Sequence, residues 1–225
     1  MEQKLLILFT IITCAFSATA QMPTASINKK MSVSVIDNDT SLHDSNRLYF
    51  LARESFPLDV SGRLYLDNDF RDGVFVDFSD QKIQARIRYR IADDEMQILH
   101  LGTEKALYPS KVKQIQFNSS LGKVTFVPAE YEPKKYKVYG YFELLSDGKV
   151  RLLKSHRKSG KHKIKCAYYL QKEGEIAQPF KARRSSIKKA FKNLTEEADD
   201  FISSNHINIK QEKDLIQLFD YLNGK

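Results

Sequence analysis

The chain has 225 residues, 36 Lys and Arg against 28 Asp and Glu, a net charge of +8, no Trp and two Cys. That length suits one large domain with a core of its own, and two cysteines exclude a small disulfide-stapled scaffold. The positive charge is local: residues 134–192 hold 18 Lys and Arg against 4 Asp and Glu, or +14, whereas residues 1–133 come to −2 and residues 193–225 to −4.

Lys4, the apolar stretch Leu5 to Ile12 and the small residues ending Ala18-Thr19-Ala20 read as a secretory signal peptide over residues 1–20, cleaved near Ala20. Thr13 before Cys14 argues against a lipoprotein signal, and cleavage would leave Cys166 with no cysteine to pair with. No later stretch approaches the roughly 18 apolar residues of a membrane helix. The expected destination is the periplasm, the cell envelope or the medium. Residues 21–46, rich in Ser, Thr, Asn and Asp, read as a flexible leader.

A β domain is predicted over residues 47–182. Val74, Val76 and Phe78 alternate, Asp80 marks a turn, and Ile83, Ala85, Ile87, Tyr89 and Ile91 alternate with Lys82, Gln84, Arg86, Arg88 and Arg90. A period of two predicts a strand with one buried and one wet face, its arginines paired with acids on a neighbour such as Asp77. Met96 to Leu101, Lys111 to Phe117 and Lys123 to Val127 are shorter runs, and Pro128 and Pro133 suit a loop or sheet edge. Tyr136 to Leu145, Asp147-Gly148 and Val150 to His156 predict a hairpin, because Asp-Gly supplies the positive φ angles of a tight primed turn. A second hairpin is predicted to turn at Ser159-Gly160 into Lys161 to Leu170. Ile187, Ala190, Phe191, Leu194, Ala198, Phe201 and Ile202, then Leu215, Leu218, Phe219 and Leu222, fall at helical spacing. They predict an amphipathic tail over 183–225, with 186–205 read as one helix or two. The fold class is α+β, mainly β: an antiparallel meander of roughly eight to ten strands, or a partly closed barrel, followed by two or three C-terminal helices.

Tyr65-Leu66, Phe70, Gly73-Val74, Arg88-Tyr89 and Asp94-Glu95-Met96, with Asp200-Phe201-Ile202, Asn208-Ile209-Lys210, Glu212 to Ile216 and Tyr221-Leu222-Asn223 in the tail, resemble a family of uncharacterised exported bacterial proteins. The resemblance spans roughly residues 60 to 225 and implies export and a β-rich body followed by a lysine-rich helical tail. It carries over no activity and no site residues.

The sharpest local feature is the run Lys154 to Lys165. With a two-residue turn at Ser159-Gly160, Lys158 would face Lys161, His156 would face Lys163 and Lys154 would face Lys165. Like charges opposite one another destabilise a ladder unless they splay into water or hold an anion. The candidate anion-binding residues are Lys154, Arg157, Lys158, Lys161, Lys163 and Lys165, with Tyr139 and Tyr141 as a stacking surface; a solvated hairpin and packed tyrosines are the plain alternatives. An anionic glycan or membrane headgroups fit that set better than nucleic acid, and a protein partner is the remaining option.

No cofactor and no metal is expected. His156 and His162 point to opposite faces in that register. His162 and Cys166 share a strand face but lie about 13 Å apart, too far for proton transfer. Asp67 to Gly73 lacks the ligand pattern of a calcium loop and reads as a turn. Asp93-Asp94-Glu95 reads as a wet turn, and no G-x-S-x-G, H-E-x-x-H or phosphate-binding glycine loop is present. The expected function is non-enzymatic binding of an anionic surface or polymer. The alternatives are an envelope hydrolase with carboxylates from separate strands, or an assembly partner using its C-terminal helices.

Overall fold

The computed structural model describes residues 48, 50–55, 65–120, 122–133, 135–160, 163–192 and 194–224. The expected signal peptide and leader, and Lys161 and His162, lie outside the described residues.

Among the described residues, eleven antiparallel strands form one sheet that is not closed. They are β1 (Ala52–Glu54), β2 (Arg71–Asp77), β3 (Lys82–Arg90), β4 (Glu95–His100), β5 (Thr103–Leu107), β6 (Val112–Ser119), β7 (Gly122–Tyr131), β8 (Val138–Ser146), β9 (Val150–Ser159), β10 (Lys163–Lys172) and β11 (Gln178–Phe180). The order is β1-β5-β4-β3-β2-β6-β7-β8-β9-β10-β11. It is a meander with two crossovers: β1 pairs with β5 rather than with β2, and after β5 the 3-10 turn Pro109–Lys111 carries the chain to the far side of β2, where β6 pairs. Three helices follow, α1 (Arg184–Ala190), α2 (Thr195–Ser204) and α3 (Glu212–Leu222), so residues 186–205 fold as two.

Alternation places two cores on opposite faces of β7 and β8. Phe126 and Tyr141 join a cluster with Phe75, Ile87, Tyr89, Met96 and Ile115, all nearly inaccessible. Val127 and Phe142 join Ala129, Tyr131, Leu153, Tyr169 and Ala177 on the other face. A parallel bridge from Tyr131 to Ala177 ties the second cluster together. The helices cover β9 and β10 with a third cluster, in which Leu215, Leu218 and Phe219 meet Val150, Leu152 and Phe180. Burying each such side chain stabilises by about 1.5–3 kcal/mol.

The end of α3 is stitched to the β8–β9 hairpin. Asn223 Oδ1 accepts the Val150 N–H at 3.1 Å, and its amide donates to Val150 O at 3.0 Å. Gly148 makes this possible: its φ is 148°, and a Cβ there would lie 2.5 Å from Asn223 Cγ.

Several sequence expectations change: Glu95, read as part of a wet turn, is 4% exposed at the start of β4, and Pro128, read as loop or sheet edge, lies inside β7 opposite Tyr141. The β9–β10 ladder closes at Ser159 with Lys163, so the loop has three residues, not two. The partners become Arg157 with Lys165, His156 with Cys166, and Lys154 with Tyr168. Arg90 and Arg88 pair with strand acids as expected, but with Glu95 of β4 and Glu104 of β5 rather than with Asp77, whose Oδ1 accepts the N–H groups of Ser79 and Gln81. Arg90, read as wet, is 2% exposed and bound to Asp93 and Glu95.

Candidate functional site: the fork between β8 and β9 and the hairpin beyond it

β8 and β9 stay paired only from Glu143 opposite Lys154 to Ser146 opposite Leu152. Beyond Glu143 the two strands part, while residues 138–142 keep their partners on β7. The β3–β4 turn fills the fork. Asp94, at φ 57°, accepts the Tyr141 N–H with both carboxylate oxygens at 3.2 Å and the Tyr89 hydroxyl at 2.6 Å, taking over a backbone donor on the side of β8 where β9 has left. Gly140 leaves the room: a Cβ there would lie 2.6 Å from Asp94 Oδ2 and 2.8 Å from the Tyr131 ring. Burial pushes the Asp94 carboxyl up to about 6, against the hydrogen bonds from Tyr89 and Tyr141 and the charge of Arg157. A cleft of about 220 Å³ remains, lined by Asp93, Asp94, Tyr141, Ser155, His156 and Arg157 among others.

A chain of polar groups runs along the sheet face that carries the helices. Lys154 Nζ lies 3.1 Å from Glu143 Oε2 and 2.8 Å from Glu212 Oε1 of α3. Tyr168 donates its hydroxyl to Glu212 Oε2 at 2.9 Å. His156 places Nε2 2.7 Å from Glu143 Oε2 and Nδ1 3.7 Å from Cys166 Sγ. The imidazole is 6% exposed, 6.3 Å from the Tyr89 ring and 6.1 Å from that of Phe126, whereas Cys166 is exposed. Burial pulls the imidazole pKa down, but its contacts with Cys166 and Glu143 outweigh that and raise it to about 9. Burial pushes Glu143 up, and its hydrogen bond from His156 and the Lys154 charge reverse the effect to a net lowering. Lys154 is raised because Glu212 and Glu143 outweigh its desolvation.

The opposite face of the hairpin carries the exposed cations. Arg157 and Lys165 are directly opposite, with Lys163 two residues along the same face. Arg157 lies over the Tyr131 ring, 5.0 Å from its centroid, and donates to the Tyr169 hydroxyl at 3.4 Å. Among the described residues, no carboxylate lies within 4.0 Å of the charged nitrogens of Arg157, Lys163 or Lys165.

The structure therefore divides the predicted set. Arg157, Lys163 and Lys165 share one surface. Lys158 lies on the other face, opposite Ile164, and Lys154 is 12% exposed between two glutamates. Tyr139 is exposed, but Tyr141 is 2% exposed and donates its hydroxyl to Leu107 O at 2.9 Å, which leaves no ring face for stacking. The line from Cys166 through His156 to Glu143 is not visible in the sequence, where the only histidine weighed against Cys166 as a nucleophile's base was His162, too far along the same strand. A three-residue loop at Gly160, φ 73°, puts His156 directly across from it.

Asp67 closes a turn. Its oxygens accept Arg71 Nε and Nη2 and the N–H groups of Ser120 and Asp69, and the Arg71 hydrogen bond foremost holds its pKa low. Among the described residues no group of three or more His, Cys, Asp or Glu is placed to hold a metal ion, and no helix is long and apolar enough to cross a membrane. Comparison with protein-family models, with curated proteins and with solved structures finds no match to this chain.

Proposed function

We propose that this chain is a non-enzymatic exported protein of the cell envelope that binds an anionic surface or polymer through the end of the β9–β10 hairpin. One observation carries the reading: Arg157 and Lys165 stand opposite each other with Lys163 beside them, exposed and, among the described residues, with no carboxylate within 4.0 Å of their charged nitrogens. Like charges in direct register cost stability, and an anion between them removes that cost. Arg157 is also pre-positioned by Tyr131 and Tyr169, so it loses less side-chain freedom on binding than a free surface arginine. Export rests on the signal-peptide pattern of residues 1–20. The assembly reading has less support, because Phe219 is fully buried and Phe201 stacks on Tyr221 at 4.0 Å.

The test is binding of the protein to an anionic polysaccharide, to anionic lipid vesicles and to single-stranded nucleic acid at two salt concentrations. A variant carrying Arg157→Gln, Lys163→Gln and Lys165→Gln is measured alongside. One class should bind the wild type with a steep loss in salt, the behaviour of counterion release, and the folded variant should lose at least about tenfold in affinity. Equal binding by the two proteins, or none by either, rejects the reading.

A further inference from the structure

We propose that Cys166 is a nucleophilic thiol, with His156 as its proton partner and Glu143 as the group that positions the imidazole, and that it exchanges with low-molecular-weight disulfides. The three side chains come from three adjacent strands, β10, β9 and β8, and are aligned in order: Sγ to Nδ1 at 3.7 Å, then Nε2 to Oε2 at 2.7 Å. A nucleophile within reach of a base that is itself oriented by a third group is the arrangement that activates cysteine and serine nucleophiles on unrelated folds.

A histidine that only fills space needs no second partner. This one uses both ring nitrogens, and the one not held by Glu143 leads to an exposed sulfur atom. The rings of Tyr89 and Phe126 fix the imidazole from the core side. Lys154 and Glu212 continue the chain behind Glu143, and Tyr168, next on the Cys166 face of β10, is held by Glu212. The charged and titratable groups around the pair are Glu143, Lys154, Glu212 and Tyr168, with Lys158 two residues along the same face of β9 and Asp94 reached through Tyr89. The imidazole, raised to about 9, holds its proton at neutral pH.

The step balances without an added oxidant. The sulfur anion of Cys166 attacks one sulfur of the disulfide, a new S–S bond forms as the old one breaks, and the departing thiolate takes the electron pair and a proton from His156. The disulfide passes from the small molecule to the protein, and one thiol is released. An adjacent cation favours the thiolate form that such attack requires, which makes a site of this kind selective over other exposed thiols.

The experiment follows mixed-disulfide formation with oxidised glutathione on the folded full chain, read by mass on the peptide that contains Cys166. A short peptide copy of the β10 sequence, which lacks the imidazole, serves as reference. At about pH 6 the protein should react roughly tenfold faster than the peptide, because the imidazole beside Sγ steadies the attacking sulfur. The ratio of the two rates is followed between about pH 6 and 8, where the peptide rises about tenfold per unit. His156→Gln should return the rate and its pH profile to those of the peptide, and Glu143→Gln should fall between the two. The same ratio is expected with iodoacetamide, which is uncharged. A protein rate that tracks the peptide at every pH overturns the proposal even if neither variant folds. A gain with the anionic disulfide but not with iodoacetamide also overturns it, since attraction to Lys163 and Lys165 would then be the whole effect.

Discussion

Two sets of strand cations meet opposite fates in this molecule. On β3, Arg88 and Arg90 are enclosed. Arg90 donates to Asp93 and Glu95, and Arg88 donates to Gln97 and Glu104 while lying 4.1 Å from the Tyr65 ring and 4.2 Å from that of Phe70. On β9 and β10, Arg157, Lys163 and Lys165 stand outward with no described carboxylate in reach. In sequence both sets are alternate basic residues on a strand. The difference is the neighbour: β4 brings Glu95 and Gln97 into register with Arg90 and Arg88, whereas β10 brings Lys165 to Arg157. A cation facing an acid becomes part of the framework, and a cation facing another cation is left with its charge for something outside the fold.

The sharpest way to break this comparison is to remove Arg90. Glu95 is 4% exposed and also receives Arg53, Ser55 and Gln97. Without Arg90 it keeps one cation, and that one is 42% exposed. Arg90→Ala should cost about 3–5 kcal/mol in urea unfolding, the usual cost of leaving a buried charge uncompensated. Arg90→Ala with Glu95→Gln should recover part of it, because the stranded charge is gone. A loss below about 1 kcal/mol would mean that Arg90 is no more structural than the hairpin cations.

The fork gives a second, pH-dependent contrast. The Asp94 carboxyl titrates at about 6 in the fold, against a reference value of 3.8. A raised folded value means that the folded state holds the proton more tightly than the unfolded chain. This contribution is therefore complete below about pH 4 and is lost as pH rises through about 6, at a total of at most about 3 kcal/mol. Asp94→Asn keeps an oxygen for Tyr141 and Tyr89 and carries no charge. It should flatten the fall of Tm between about pH 4 and 6.5 and leave the protein more stable than wild type at neutral pH. The His156 imidazole, raised from 6.5 to about 9, loses its contribution at higher pH by the same sign. That later fall should persist in Asp94→Asn and vanish in His156→Gln.

Local pattern was enough for the strand of Ile83 to Ile91, for a hairpin turning at Asp147-Gly148 and for the helix faces of Leu215, Leu218 and Phe219, but not for the turn type, since Gly148 has positive φ and Asp147 does not. The crossover from β5 to β6 was not legible, since nothing in Pro109 to Lys111 says on which side of β2 the next strand will lie. The basic surface was visible as composition. Its membership was not, because a loop that starts one residue later and is one residue longer moves each β10 residue three places along β9. That same register makes the Cys166 contact, and it turns on whether Gly160 ends a two-residue loop or begins a three-residue one, both of which accept glycine at positive φ. Asp94 depends on a contact with Tyr141, 47 residues away, which no short window contains.

The smallest expected effect sits on the exposed set and completes the comparison. Lys163 and Lys165 are exposed on one face of β10, and the partner that Lys165 meets across the ladder is Arg157. Replacing both with Gln removes one like-charge opposition and no ion pair among the described residues. Lost side-chain packing is slight at an exposed strand end, so the change in unfolding free energy should stay within about 0.5 kcal/mol. Its sign should be stabilising at low ionic strength and should fade as salt screens the repulsion over about 10 Å at 0.1 M. Urea unfolding at two salt concentrations reads both quantities. A destabilisation above about 1 kcal/mol would place these lysines with Arg90, inside the framework, and would remove the uncompensated charge on which the proposed anion surface depends.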